Sequence, residues 1–374
     1  MVLSGRWLRR VGRTELFLVE GGVPHFKEMV VLCREIVRLL VREYGSDFFV
    51  ERLSDPYWLS CLSCVLGFEW DTSGQTTITL AALKEALRDL DVGVFVAGGK
   101  GAAMRETPLE LKESLKAIGR EEVAPSLSFA SRLSCRVDNN AIQDSYTVYF
   151  HCVAISSSGS YAIINQGMNI EAKLARRYQW LAGDVKVEEP HTAISSAKGE
   201  EVVLDLTSRE SRDCRRCILD VVRDSPFSAI QSDLVKVKNI LSGQATLDDH
   251  PHLNPRTTPP HLKPPKKLDG SVLRAVKENA DSFETILLAE RVGASTLRGL
   301  AYISELVYGA RASWRDPARF SYAFGSKSGR PYPVDKRGMV EAAEVLRGAV
   351  ESTDSNPSRV MLWRLSKLMS RLEV

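Results

Sequence analysis

Apolar positions recur at helical spacing through most of the chain and give way to β-branched, aromatic runs in two places. Over residues 25–50, "HFKEMVVLCREIVRLLVREYGSDFFV", hydrophobic side chains return every three or four residues as far as Gly45, which predicts a helix closed by that glycine. "YWLSCLSCVLGF" (57–68) and "TTITLAALKEALRDL" (76–90) read as further helices, the second entered through the turn "DTSGQ". "VGVFVAGGKG" (92–101) is a β-branched run closed by three glycines, a strand that delivers a loop and Lys100. The strongest β pattern lies at 145–170, where "SYTVYFHCVAI" and "YAIINQGMNI" flank "SSSGS", two strands joined by a glycine-containing turn. Helices are expected near 171–182, 207–223 and 227–242, and again over 271–310 and 335–374.

Between Asp248 and Gly270 the pattern stops. Six of the 16 prolines fall between 251 and 265, a density that regular helix or sheet does not carry. The expected class is α+β, in three parts. A mixed α/β domain with a β-hairpin-containing sheet fills 1–245. A Pro/His-rich linker, extended and docked on a surface, fills 246–270, and a mainly helical domain fills 271–374. A length of 374 residues suits two cores.

Composition narrows the class without naming it. Hydrophobic residues are 44% and charged residues 26%, ordinary for a globular chain, and no apolar run approaches the roughly 20 residues of a membrane span. The basic N-terminus lacks an uninterrupted apolar stretch, so a secretory signal is not expected and a cytoplasmic location is. Seven cysteines, an odd number, argue against a disulfide framework. Cys61/Cys64 and Cys214/Cys217 are C-x-x-C pairs, but each falls on a helical stretch that explains its spacing, and neither is expected to hold metal. His250, His252 and His261 in the proline-rich strap read as solvated.

Net charge is only +3, so the location of the charge matters more than its sum. "FETILLAERVGASTLRGLAYISELVYG" has the layout of a helix-hairpin-helix, in which turn N–H groups and a positive helix end hold a DNA phosphate without reading bases. Gly293, Ala294, Ser295, Thr296 and Arg298 form that turn and the start of the helix after it. Downstream, Arg311, Arg315, Arg319, Lys327 and Arg330 are interleaved with aromatics, Trp314 among them, a composition suited to phosphate neutralisation and base stacking. The expected partner is DNA, held mainly by its phosphate backbone.

The chain also resembles a prokaryotic family catalogued only as a domain of unknown function, number seven-six-three. The matching stretches include "RLSDPYWLSCLSCVLGFEWDTSG", "VAGGKG", "ASRLSCRVDNNAIQDSYTVYFH", "NQGMN", "ARRYQWL", "EEPHTAI" and "SWRDPARFSYAFGSKSGRPYPVD". The resemblance spans nearly the whole length. It implies a two-part layout with a helix-hairpin-helix-like tail and confers no activity. The usual turn of that family looks like G-V-G-P-K-T, whereas here Arg291 replaces the first glycine and Ser295 the lysine.

The candidate chemistry lies in the N-terminal part. Asp144, a hairpin, then Glu171 and Lys173 resemble the core of a metal-dependent nuclease, with Asp144 and Glu171 as ligands of Mg²⁺ or Mn²⁺ and Lys173 assisting. A broader pool adds Lys100, Asp138, His151, Gln166, Asn169 and His191 as strand-end residues facing one cleft. The expectation is therefore a DNA-binding, repair-associated protein acting as a divalent-metal-dependent nuclease. Two alternatives stand beside it: a non-catalytic DNA-binding repair factor, and a glycosylase using Asp335 of "RPYPVDKRG".

Overall fold

Local chemistry sets the first helix boundaries. Gly45, at φ 88°, ends Phe26–Tyr44 (α1) and precedes Ser46–Leu53 (α2). The Asp55 carboxylate accepts the N–H groups of Tyr57 and Trp58, and Pro56 needs no partner at the first helical position, so Pro56–Val65 (α3) starts there. The computed structural model describes residues 25–68, 73–183, 186–196, 199–243 and 258–318, with 343, 344 and 347. Gly74–Leu87 (α4) completes the first group of helices.

Five antiparallel strands form the central sheet: Val94–Lys100 (β1), Thr147–Ser156 (β3), Tyr161–Asn169 (β4), Leu174–Leu181 (β5) and His191–Ser196 (β6), in the order β1-β3-β4-β5-β6. Ile142–Gln143 (β2) pairs separately with Leu204–Asp205 (β7). Gly98 adopts φ 95°, and a Cβ there would collide with the His151 carbonyl, so only glycine lets β1 lie this close to β3. The hairpin predicted at 145–170 is β3–β4. The helix predicted near 171–182 is instead strand β5. Its charged pair Arg176–Arg177 favours a helix locally, but pairing with β4 and β6 turns the two side chains to opposite faces of the sheet and buries both.

Helices cover both faces. One face buries Phe150, Cys152, Ala154, Ala162 and Ile164 against α1–α4. The other packs on Ala102–Ala117 (α5), Ala124–Arg136 (α6), Arg212–Asp224 (α7), Phe227–Gly243 (α8), Gly270–Glu278 (α9), Phe283–Leu288 (α10) and Ala294–Leu306 (α11). A single hydrophobic cluster on this side runs from Ala97 to Trp314, so the core passes through the boundary drawn at residue 245. The described part of the proline-rich strap is docked. Leu262 and Leu268 are buried, and the Leu262 carbonyl accepts the Tyr302 hydroxyl at 3.2 Å. No helix among the described residues is long and apolar enough to cross a membrane.

Candidate functional site

At the end of α6 the helix widens into a single π turn, Val137–Ala141, that places Asp138 beneath the sheet with no exposure to solvent. Such turns recur where a side chain must be re-aimed. Asp138 ends a chain of hydrogen bonds whose direction can be worked out. Asn165 uses its amide N–H on Asp138 Oδ2 at 2.7 Å, so its Oδ1 is the acceptor facing His151 Nδ1 at 2.6 Å. His151 therefore carries its proton on Nδ1, and its Nε2 accepts the Ser131 hydroxyl at 2.7 Å. From the other side His191 Nε2 meets Asp138 Oδ1 at 2.6 Å, and Trp180 Nε1 donates to Oδ2 at 3.3 Å. Burial pushes the His151 pKa below its ordinary value, in keeping with a neutral ring.

His191 is the member of this chain nearest solvent, its side chain 7% exposed. Its ring stands edge-on to Trp180 at 4.8 Å, and a cavity of about 30 Å³, room for one water, opens against Trp180, Tyr161, Lys186 and Pro190. An imidazole held by a carboxylate behind it is oriented for proton transfer. The structure thus unites Asp138, His151 and His191 from the predicted pool. Ser131, Asn165 and Trp180 were missed. A polar Asn165 inside the apolar strand "YAIINQG" was the available signal.

Asp144 has a different role from the metal ligand expected of it. Its Oδ2 accepts Arg176 Nη1 at 2.8 Å and the Tyr178 hydroxyl at 2.7 Å, while Oδ1 accepts the Tyr146 N–H at 3.0 Å. Asp316 grips the same guanidinium through both oxygens, at 3.0 and 2.8 Å. Burial alone would lower the Arg176 pKa, but the two carboxylates hold it above the ordinary arginine range. Burial raises that of Asp144 against the opposing pull of Arg176. This is a sealed ion-pair network in which Asp144 is saturated by protein groups. Glu171 and Lys173 lie apart from it in the exposed β4–β5 turn, where Lys173 takes a left-handed φ of 55°. Among the described residues no three His, Cys, Asp or Glu side chains are grouped to hold a metal. Lys100 and Gln166 are at the same end of the sheet, on the face that packs against α1–α4.

The cysteine pairs sit on helices α3 and α7, with all four thiols free; Cys214 is in the core and burial raises its pKa. Of the three strap histidines only His261 lies within the described residues.

The helical hairpin is present as α10, a turn, and α11. Arg291 holds the turn at φ 61°, a conformation glycine adopts more readily, and Gly293 opens α11 without a side-chain cap. Ser295 is exposed, whereas Thr296 is buried. The turn is tied to the π-turn region: Arg136 Nη1 donates to the Val292 carbonyl at 3.1 Å, and Gln143 Nε2 to the Ala294 carbonyl at 2.8 Å. Arg298 spans Gln143 Oε1 and the Lys263 carbonyl, at 2.8 and 2.7 Å. Arg311 and Arg315 are exposed. Trp314, expected to stack on bases, turns inward, packing on Tyr302 with ring centroids 5.0 Å apart and donating to Glu305. Arg319, Lys327, Arg330 and Asp335 lie outside the described residues, as does most of the helix predicted over 335–374.

Fold and site together define an α+β protein in which a buried acid–imidazole chain and a helical hairpin share one hub, the segment from α6 through β2. The chain belongs to the family described as "Protein of unknown function (DUF763)", whose model matches residues 12–334. No curated protein and no solved structure matches it.

Proposed function

We propose that this is a DNA-binding protein that holds the sugar-phosphate backbone at the turn between α10 and α11. The observation that carries the reading is the start of α11. No side chain caps its first N–H groups, and nothing lies within 4 Å of where a Cβ on Gly293 would be. Uncapped N–H groups at the positive end of a helix dipole favour an anion. Cations are carried by the turn and by the elements bonded to this hairpin: Arg291, its side chain 73% exposed, Arg132 and Arg136 one turn apart on α6, and Lys263 on the strap. The Glu290 carboxylate lies 3.9 Å from Arg291.

Ser295→Glu tests this. A carboxylate in the first turn is compatible with the helix but repels phosphate, so the fold is kept while affinity for labelled duplex, single-stranded or branched DNA falls roughly tenfold or more. The dependence of log Kd on log salt should flatten by about one phosphate contact. Unchanged affinity and salt slope in a folded Ser295→Glu protein would remove the hairpin from DNA binding.

A second reading, hydrolysis of the bound strand, is favoured by the Asp138–His191 pair, which offers an oriented base near the surface. Incubating the same DNAs with Mg²⁺, Mn²⁺ or EDTA, for wild type and His191→Asn, tests it. Cleavage that is lost with His191 assigns the base, and absence of cleavage under all conditions leaves a binding protein.

A further inference from the structure

Arg176 and Arg177 are neighbours in sequence, both without solvent exposure, and their surroundings are opposite. Arg176 has two carboxylates. Arg177, on the other face of the sheet, has none among the described residues within ion-pair distance. Its Nη1 reaches Thr76 Oγ1 at 3.4 Å, and its Nη2 reaches the Pro56 carbonyl at 3.3 Å and Ser60 Oγ at 3.2 Å, all long contacts to neutral oxygens. Its Nε has no partner among the described residues. Asp55, whose charge acts on Arg177, is occupied in capping α3. Burial draws the guanidinium pKa down to about 10, since only the distant charge of Asp55 supports it. A buried cation without a counter-charge among the described residues is costly.

The unsatisfied groups gather around it. Gln166 and Ser195 are the residues directly opposite Arg177 on β4 and β6, and Gln166 Oε1 and Ser195 Oγ are both buried without a partner among the described residues. Gln75 on α4 accepts the Ser60 hydroxyl through Oε1 and leaves its Nε2 unpaired. Native interiors leave few such atoms, so a concentration of them at one guanidinium marks missing partners. The cross-strand row continues outward through Gln166 and Phe150 to Lys100, an exposed cation 5.5 Å from the Tyr149 ring centroid. The Tyr149 hydroxyl in turn receives Gln166 Nε2 at 2.6 Å.

We propose that Arg177, with Gln75, Gln166 and Ser195, forms a buried binding site for a phosphate group that retains one proton. Arg177 Nε and Gln75 Nε2 supply donors to its oxygens. Gln166 Oε1 is an acceptor and needs a donor, which the P–OH provides and a fully ionised carboxylate or sulfate does not. Lys100 at the open end of the row gives the approach a positive potential. The site is on the opposite side of the sheet from α10–α11 and does not rest on the DNA-binding reading.

The test is thermal unfolding of the full chain with inorganic phosphate, a nucleoside 5′-monophosphate, or sulfate at matched ionic strength. Phosphate or its monoester should raise the midpoint by at least about 2 °C at saturation, while sulfate does not. The relative shifts of free phosphate and monoester identify the source of the group. Arg177→Met should abolish the shift and be at least as stable as wild type without phosphate, because an uncompensated charge has gone. Gln75→Leu, which keeps Arg177, should weaken the response and serves if Arg177→Met does not fold. Equal shifts with phosphate and sulfate, a phosphate shift that survives Arg177→Met, or one that is undiminished in Gln75→Leu, would overturn the assignment.

Discussion

Two residues show how burial reassigns side chains that look catalytic in sequence. Asp144 is the shared acceptor of Arg176, Tyr178 and the Tyr146 N–H. Asp144→Ala leaves Arg176 with Asp316 as its remaining carboxylate and the buried Tyr178 hydroxyl without its acceptor, a loss of about 1–3 kcal/mol, read as a lower urea midpoint. Wild-type stability in that variant would show that the network carries no such energy. His151 acts through protonation. Its folded pKa lies below the unfolded value, so the folded state binds fewer protons than the unfolded one. The stability it contributes is fully present above the ordinary histidine pKa and is lost as pH falls through the histidine range toward the folded value. Urea midpoints should therefore drop between pH 7.5 and 5.5. His261, also depressed by burial, acts in the same direction, so the comparison that isolates His151 is His151→Gln, whose amide can donate to Asn165 and accept from Ser131. That variant should show a flatter pH profile, and an unchanged slope would assign the effect elsewhere.

At the scale of elements, the segment from α6 through the π turn to β2 joins the two candidate sites. Its side chains enter the Asp138 chain on one side and hold the carbonyls of the α10–α11 turn on the other. Gln143 is the clearest tie, donating to the carbonyls of Asn140 and Ala294 and accepting from Arg298. Gln143→Ala removes these bonds and should cost about 1–3 kcal/mol. Hydrogen exchange should quicken at the amides that open α11, Thr296 and Leu297, while those of the β3–β4 hairpin keep their protection. Uniform acceleration across both elements would mean that Gln143 supports the whole fold and not the turn.

For the whole molecule, the continuity of the core decides how function can be mapped. Leu297, Leu300, Ile303 and Tyr302 of α11 are completely buried in the cluster that also holds Leu133, Ile218 and Leu234. A chain ending near residue 245 uncovers that surface, at about 1.5–3 kcal/mol for each large side chain exposed. Such a chain should lose cooperative thermal unfolding in circular dichroism and bind a hydrophobic dye. DNA binding is therefore better mapped by point variants such as Ser295→Glu than by dividing the chain. A sharp, wild-type-like transition in the shortened chain would restore the boundary.

Periodicity by itself determined α1, α3, α4, α7, α8, the β3–β4 hairpin and the helical hairpin, because each is governed by local spacing, caps and glycine turns. The sequence also offered Asp138, His151 and His191, as members of a wider pool of polar residues at strand ends. It misread β5, since two adjacent arginines favour a helix until strands on both sides fix their pleat. It left Arg176 and Arg177 indistinguishable, because the face each one meets is set by segments more than a hundred residues away. Asp316 reaches Arg176 from the C-terminal part of the chain, and Pro56, Ser60 and Thr76 reach Arg177 from the N-terminal part. Which carboxylate pairs, which imidazole is oriented and which guanidinium is left alone are long-range facts, and only tertiary packing decides them.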